Sequence, residues 1–96
     1  MARSILDTEK GVCYLCGAHG FTEVHHVYEG NGRRALSEKF GLKIDACPWC
    51  HRLAKNSVHK DAARANKLKA EVQAIAMAYY GWTVEQFREL FRKSYI

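Results

Sequence analysis

The amino-acid sequence predicts an α+β fold, and three observations predict it. Four cysteines fall in two Cys-x-x-Cys pairs separated by thirty residues. Two short segments rich in β-branched and aromatic residues lie between or beside those pairs, as strands require. The last third of the chain carries apolar residues at helical spacing and no cysteine or histidine. Ninety-six residues suit one domain, 1–96. Chains of this length bury only about 60–65% of their unfolded surface, so an added staple is commonly needed.

The elements follow in chain order. Residues 13–59 hold all four cysteines, all five histidines, the one proline and five of the seven glycines. Phe21 to Tyr28 reads as a strand, ended by the turn signal Glu29-Gly30-Asn31-Gly32. Arg33 to Phe40 predicts a short helix or turn closed by Gly41, and Leu42 to Ala46 a second strand running into Cys47. Pro48 is suited to the first turn of a helix with Trp49 to Asn56 as its body. Residues 60–96 read as a helical C-terminal extension. Leu68, Val72, Ile75 and Tyr79 form one apolar stripe on a helix from about Asp61 to Tyr80, with Gly81 as its stop. Thr83-Val84-Glu85-Gln86 has capping-box form and opens a second helix carrying Val84, Phe87, Leu90 and Phe91 on one side.

Cys13, Cys16, Cys47 and Cys50 can each present a thiolate on the inside of a tight turn, and four thiolates make a closed tetrahedral shell for structural Zn2+. Such a site has no open coordination position, so its contribution is to folding. Two disulfides, or a redox Cys-x-x-Cys, are the competing readings. The charged stretch at Arg3, Asp7, Glu9 and Lys10 has no signal-peptide character, and no run approaches the ~20 apolar residues of a membrane span. An intracellular, cytoplasmic location with reduced thiols and no membrane partner is expected, which favours metal over disulfides. His19, near the first pair, reads as an exposed loop residue.

His51 directly follows Cys50, and His25-His26 occupy the first strand. Neighbouring strand residues point to opposite faces, so two histidines acting together suggest a strand end or bulge. One would then ligate a metal while the other lies near a reacting group. The joint pattern C-x-x-C-G, E-V-H-H-V, C-x-x-C-H resembles the HNH endonuclease superfamily, and that resemblance implies a ββα-metal core. Glu23-Val24-His25-His26-Val27 matches the acidic-or-His/His strand of that family, and Cys50-His51 its second knuckle and helix-borne ligand. The chain is also similar to small phage and prophage HNH-like proteins in Gly30-Asn31-Gly32-Arg33-Arg34, in Ser37-Glu38-Lys39-Phe40-Gly41-Leu42 and in Val58-His59. It departs from the family in one respect: Ser37 to Ala46 contains no Asn to order the catalytic histidine. Asn31 lies only five residues after His26, which leaves Asp45 or a backbone carbonyl for that task.

The resemblance implies a metal-dependent HNH endonuclease or nickase that hydrolyses DNA phosphodiester bonds. His25 and His51, with His59 as a further candidate, would hold a divalent ion, Mg2+, Mn2+, Co2+ or Ni2+. His59 has a competing reading as the cap of the following helix. His26 suits the general base, since an imidazole can take a proton from water near neutral pH. The products would be a 5′-phosphate and a 3′-hydroxyl. Net charge +5 and a pI near 9.2 fit a nucleic-acid partner, here double-stranded or branched DNA. Arg33 and Arg34 are candidates for phosphate contacts, extended by Lys39, Lys43, Arg52 and Lys55. Such contacts position a duplex without reading its sequence, so low specificity is expected. Lys60, Arg64, Lys67 and Lys69 read as a solvated helix face. The alternative is a non-catalytic zinc-knuckle nucleic-acid-binding protein of a phage recombination or replication complex. It would need the cysteines but not His25, His26 and His51 together. Double-strand cleavage by so small a module is easier for a dimer, and nothing in the sequence identifies an interface.

Overall fold

In the computed structural model, which describes residues 3–30 and 32–96, the chain order is β1 (Glu23–His26), α1 (Arg33–Phe40), β2 (Lys43–Ala46), a π-helical turn (Trp49–Leu53), α2 (Ala62–Tyr80) and α3 (Val84–Phe91). The two strands pair antiparallel, with His25 opposite Ile44 and His26 opposite Lys43. The first strand is shorter than the Phe21–Tyr28 expectation, and Phe21 is exposed. Val27 extends the ladder by one bond to the Leu42 carbonyl (3.0 Å). Tyr28 then turns away, its backbone captured by the buried Ser37 hydroxyl. That oxygen accepts the Tyr28 N–H at 3.1 Å and donates to the Tyr28 carbonyl at 2.7 Å. This pair of bonds clamps α1 onto the end of β1.

Gly41 ends α1 in the left-handed region at φ 70°, where glycine is unstrained. A side chain there would also collide with the Arg3 carbonyl, because the N-terminal segment crosses at this point. Ile5 N–H donates to the Gly41 carbonyl at 2.9 Å, and Ser4 Oγ donates to the Lys43 carbonyl at 2.6 Å. Thr8 and Asp45 bond one another through side chain and backbone, and Tyr14 N–H reaches the Asp45 carbonyl at 2.8 Å. The first cysteine knuckle is thereby fixed beside the strand that leads to the second.

Beyond β2 the structure departs from the expected Trp49–Asn56 helix. His51 N–H bonds the Cys47 carbonyl, but Ala54 N–H reaches back five residues to Trp49, the wider π spacing, and the helix stops there. Cys50 and His51 are consecutive residues serving different clusters. The chain then doubles back: Val58 N–H bonds the Cys50 carbonyl at 2.9 Å and His59 N–H the His51 carbonyl at 3.3 Å. Two-strand sheet and helices match the α+β expectation. The ligand-bearing α-helix implied by the HNH resemblance is instead this π turn.

Asp61 caps α2 by accepting from the N–H groups of Ala63 (3.0 Å) and Arg64 (3.2 Å). That removes the capping role considered for His59. The buried face of α2 is Leu68, Val72, Gln73 and Ala76, whereas Ile75 and Tyr79 of the expected stripe are exposed. Gln73 accounts for the displacement. Its amide donates to Ser94 Oγ (3.0 Å) and its carbonyl accepts Tyr95 N–H (2.7 Å), so the C-terminal segment, and not an apolar neighbour, chooses this face. The α3 capping box forms as expected, Thr83 Oγ1 accepting from Gln86 N–H and Gln86 Oε1 from Thr83 N–H. Residues 60–96 are no appendage, because one core cluster joins Tyr28, Leu42 and Ile44 to Leu68, Val72, Phe87 and Phe91. Tyr28 lies at its centre, 4.7 Å from the Phe91 ring, with its hydroxyl donating to the Lys69 carbonyl at 2.6 Å. No helix of the described residues is long and apolar enough to cross a membrane.

Candidate metal centres

The structure gathers two groups of metal-ligating side chains among the described residues. The first is Cys13, Cys16, Cys47 and Cys50, whose sulfurs all lie within 4.8 Å of one another. All four are free thiols, with no disulfide among them. Cys16 and Cys47 sulfurs are 3.9 Å apart, close to the about 3.8 Å spanned by two ligands of a tetrahedral ion with 2.3 Å zinc–sulfur bonds. Cys16 N–H donates to Cys13 Sγ at 3.4 Å, a bond that is stronger when the sulfur is a thiolate. Burial opposes ionisation of Cys13, but amides of Cys47, Cys16 and Leu15 outweigh it and bring its pKa to about 6. Cys50 is driven the other way, to about 12, by burial and by the neighbouring sulfurs. Four thiolates cannot share so small a space without a cation, and a coordinating metal removes that conflict. Arg64 supports the cluster from α2, its guanidinium 3.7 Å from Cys50 Sγ and 2.8 Å from the Asn56 carbonyl. Arg64 is therefore tied into this corner and is not part of a freely solvated face.

The second group is His25, His51 and His59, whose ring nitrogens also lie within 4.8 Å of one another. His25 is buried in the middle of the sheet, and burial, then His51 and His59, holds its pKa at about 3. Its imidazole is neutral and has a lone pair to give. Glu23, two residues earlier on β1, shares its face. Its carboxyl is held at about 2, first by the hydrogen bond from Arg52 and then by that from His51. An ionised carboxylate only accepts, so in the 2.8 Å contact with Glu23 Oε1 the His51 Nδ1 is the donor, and a neutral ring so held has its lone pair on Nε2. His59 Nδ1 faces Glu29 Oε1 at 3.6 Å. The two Nε2 atoms approach to 2.9 Å, and two ligands at right angles, about 2.1 Å from one ion, stand about 3.0 Å apart. Carboxylates behind imidazoles, with the opposite nitrogens converging, are the usual outer shell of a histidine metal site. The donor set fits a divalent ion.

These histidines line a depression of about 200 Å³ together with Val24, His26, Glu29 and Arg34. A larger depression of about 420 Å³ is lined by Arg3, Ser4, Thr8, Val24, Lys43, Ile44 and Asp45. Its Thr8 and Asp45 satisfy one another, whereas the smaller one holds the converging imidazoles. His26 is the last residue of β1 and stands apart from the three-histidine cluster. Its Nε2 lies 3.1 Å from Glu38 Oε1, and Lys43 Nζ lies 2.6 Å from Glu38 Oε2. Glu38 thus occupies the place beside His26 for which Asp45 had been considered, Asp45 being engaged with Thr8. Asn31 lies outside the described residues.

The basic candidates divide. Arg34 is exposed at the depression, and Lys39 and Lys55 are exposed. Arg52 grips Glu23 with Nε (3.0 Å) and a terminal nitrogen (2.9 Å), and Lys43 grips Glu38. Arg33 Nε is buried without a partner among the described residues. His19 is exposed near the first knuckle, as expected. Sequence reasoning did not single out Glu23, Glu29, Glu38 or Arg64. The period of two on β1 carried the signal for Glu23, since residues 23 and 25 of a strand share a face; the other three depend on chain folding. No protein-family model, curated protein or solved structure matches this chain.

Proposed function

We propose that the chain is a metal-dependent endonuclease of the HNH kind, hydrolysing DNA phosphodiester bonds with low sequence specificity on a zinc-stapled scaffold. The observation that carries this reading is the convergence of His25, His51 and His59, with the Nδ1 proton of His51 fixed by Glu23, beside His26 and Arg34. In this reading the three imidazoles hold a divalent ion, which would neutralise phosphate charge and stabilise the departing 3′-oxygen. His26 accepts a proton from water at Nδ1, and Arg34 anchors a phosphate. Imidazole ligands favour Mn2+, Co2+ or Ni2+ over Mg2+. Net charge +5 supplies attraction to the backbone without base reading.

A plasmid-nicking assay with each of Mg2+, Mn2+, Co2+ and Ni2+ tests this, run on wild type and His26→Ala. Metal-dependent nicking that falls on the substitution, on the order of 10²–10⁴-fold, is expected. Equal activity in both removes His26 as the proton acceptor. One observation favours a second reading, nucleic-acid binding without catalysis: the His26 side chain is only 13% exposed. Salt-sensitive DNA binding with no cleavage in any metal would select that reading.

A further inference from the structure

Three elements converge on His26, each bringing one group. β1 ends on the histidine itself, α1 carries Glu38, and β2 carries Lys43, which stands directly opposite His26 in the strand register. The contacts run in series: Lys43 Nζ to Glu38 Oε2 at 2.6 Å, and Glu38 Oε1 to His26 Nε2 at 3.1 Å. His26 and Lys43 side chains are 13% and 12% exposed, and Glu38 31%, so water competes weakly for these bonds. The Ser37 clamp on Tyr28, one residue before Glu38, fixes α1 against the strand end.

We propose that Glu38, held by Lys43, is a positioning residue that locks the His26 ring with its proton on Nε2 and its lone pair on Nδ1. The inference rests on the reading of His26 as proton acceptor. Lysine only donates, and an ionised carboxylate only accepts, so with a neutral ring the chain Lys43–Glu38–His26 has one self-consistent arrangement, the His26 proton on Nε2. Lys43, then His26, keeps Glu38 ionised down to about pH 2. The near-isosteric Glu38→Gln then does more than weaken a contact. Gln has one amide oxygen, and Lys43 claims it because it has nothing to accept with. The amide nitrogen is left facing His26, where it donates, and the ring proton must move to Nδ1. Conversion of the orienting carboxylate to an amide therefore reverses the tautomer.

The test uses the 96-residue zinc-loaded chain with 15N-labelled histidine, at a pH where the ring is neutral. Wild type should show the His26 proton on Nε2, Glu38→Gln on Nδ1, and Glu38→Asp, which keeps the carboxylate, on Nε2. In the nicking assay Glu38→Gln should lose kcat on the order of 10²–10⁴-fold with KM changed by no more than about threefold. Glu38→Asp should recover part of kcat, which a merely structural glutamate would not give. A wild-type proton on Nδ1, an unreversed tautomer in Glu38→Gln, or reversal with unchanged kcat overturns the proposal. Wild-type protein that nicks with no metal removes the nuclease reading instead, and the ring shifts still decide whether Glu38 sets the tautomer.

Discussion

Two fully buried serines make a matched test of what holds the site together. Ser37 Oγ both donates to and accepts from the Tyr28 backbone, whereas Ser57 Oγ, equally buried, has no hydrogen-bond partner among the described residues. Ser37→Ala leaves a buried N–H and a buried carbonyl unsatisfied, at about 1–3 kcal/mol each, so a loss of about 2–6 kcal/mol is expected. Ser57→Ala breaks no bond and relieves a hydroxyl that is costly to bury, so it should be neutral or stabilising by roughly 1 kcal/mol. The Ser57 carbonyl bonds to Lys60 and Asp61 N–H survive that change. Against a total stability of about 5–15 kcal/mol the first loss is large. Urea unfolding of zinc-saturated protein, followed by tryptophan fluorescence, measures both. In thermal melts Ser37→Ala should drop Tm by at least roughly 10 °C. Costs equal within about 0.5 kcal/mol, with unchanged urea slopes, would refute the hydrogen-bond reasoning.

If the cysteine cluster holds structural Zn2+, a strong chelator should abolish cooperative thermal unfolding, since such an ion contributes about 10–16 kcal/mol in small domains, comparable with the whole stability. A transition unchanged after complete zinc removal contradicts this. Glu23→Gln should weaken Mn2+ or Co2+ binding at the histidine cluster by about 10–100-fold in calorimetry, because His51 loses its fixed tautomer. Unchanged affinity would detach Glu23 from the site. Glu38 has a folded pKa near 2 against an ordinary 4.5, so the unfolded chain takes up its proton first as pH falls. The Glu38 contribution is complete above about pH 4.5 and vanishes as pH drops through about 2. The stability gap between wild type and Glu38→Gln should close over that window, and a gap independent of pH counts against the ion pair.

Local chemistry was legible in the sequence wherever it acts over a few residues. The Thr83 capping box, the Gly41 and Gly81 stops, the short Arg33–Phe40 helix and the two knuckles all depend on near neighbours, and all form. The α2 face was misread because its choice lies with Gln73 and a tail more than twenty residues away. Spacing promotes Ile75 over Gln73, but hydrophobicity cannot foresee a buried amide whose polar atoms are all satisfied from elsewhere. The Trp49–Asn56 helix failed for another reason, since its propensity was outweighed by the demands placed on Cys50 and His51. Two of the basic candidates are engaged within the fold. Lys43 is taken by Glu38, five residues before it, and Arg52 by Glu23, far back on β1, so a count of basic residues overstates the surface left for phosphate.

The π turn links the two clusters through consecutive residues. Cys50 must reach the sulfur cluster and His51 the imidazole cluster, although they are consecutive. The wide turn and the reversal after it satisfy both, and the same backbone bonds from Cys50 and His51 return Val58 to the core and His59 to the histidines. On the other side, β1 sends Glu23 and His25 to one face and delivers His26 to Glu38 at its end. The histidine cluster thus has no scaffold of its own. It is assembled where a strand held by the sheet meets a turn held by the cysteines, so a metal bound by the sulfurs stabilises the geometry in which the imidazoles converge.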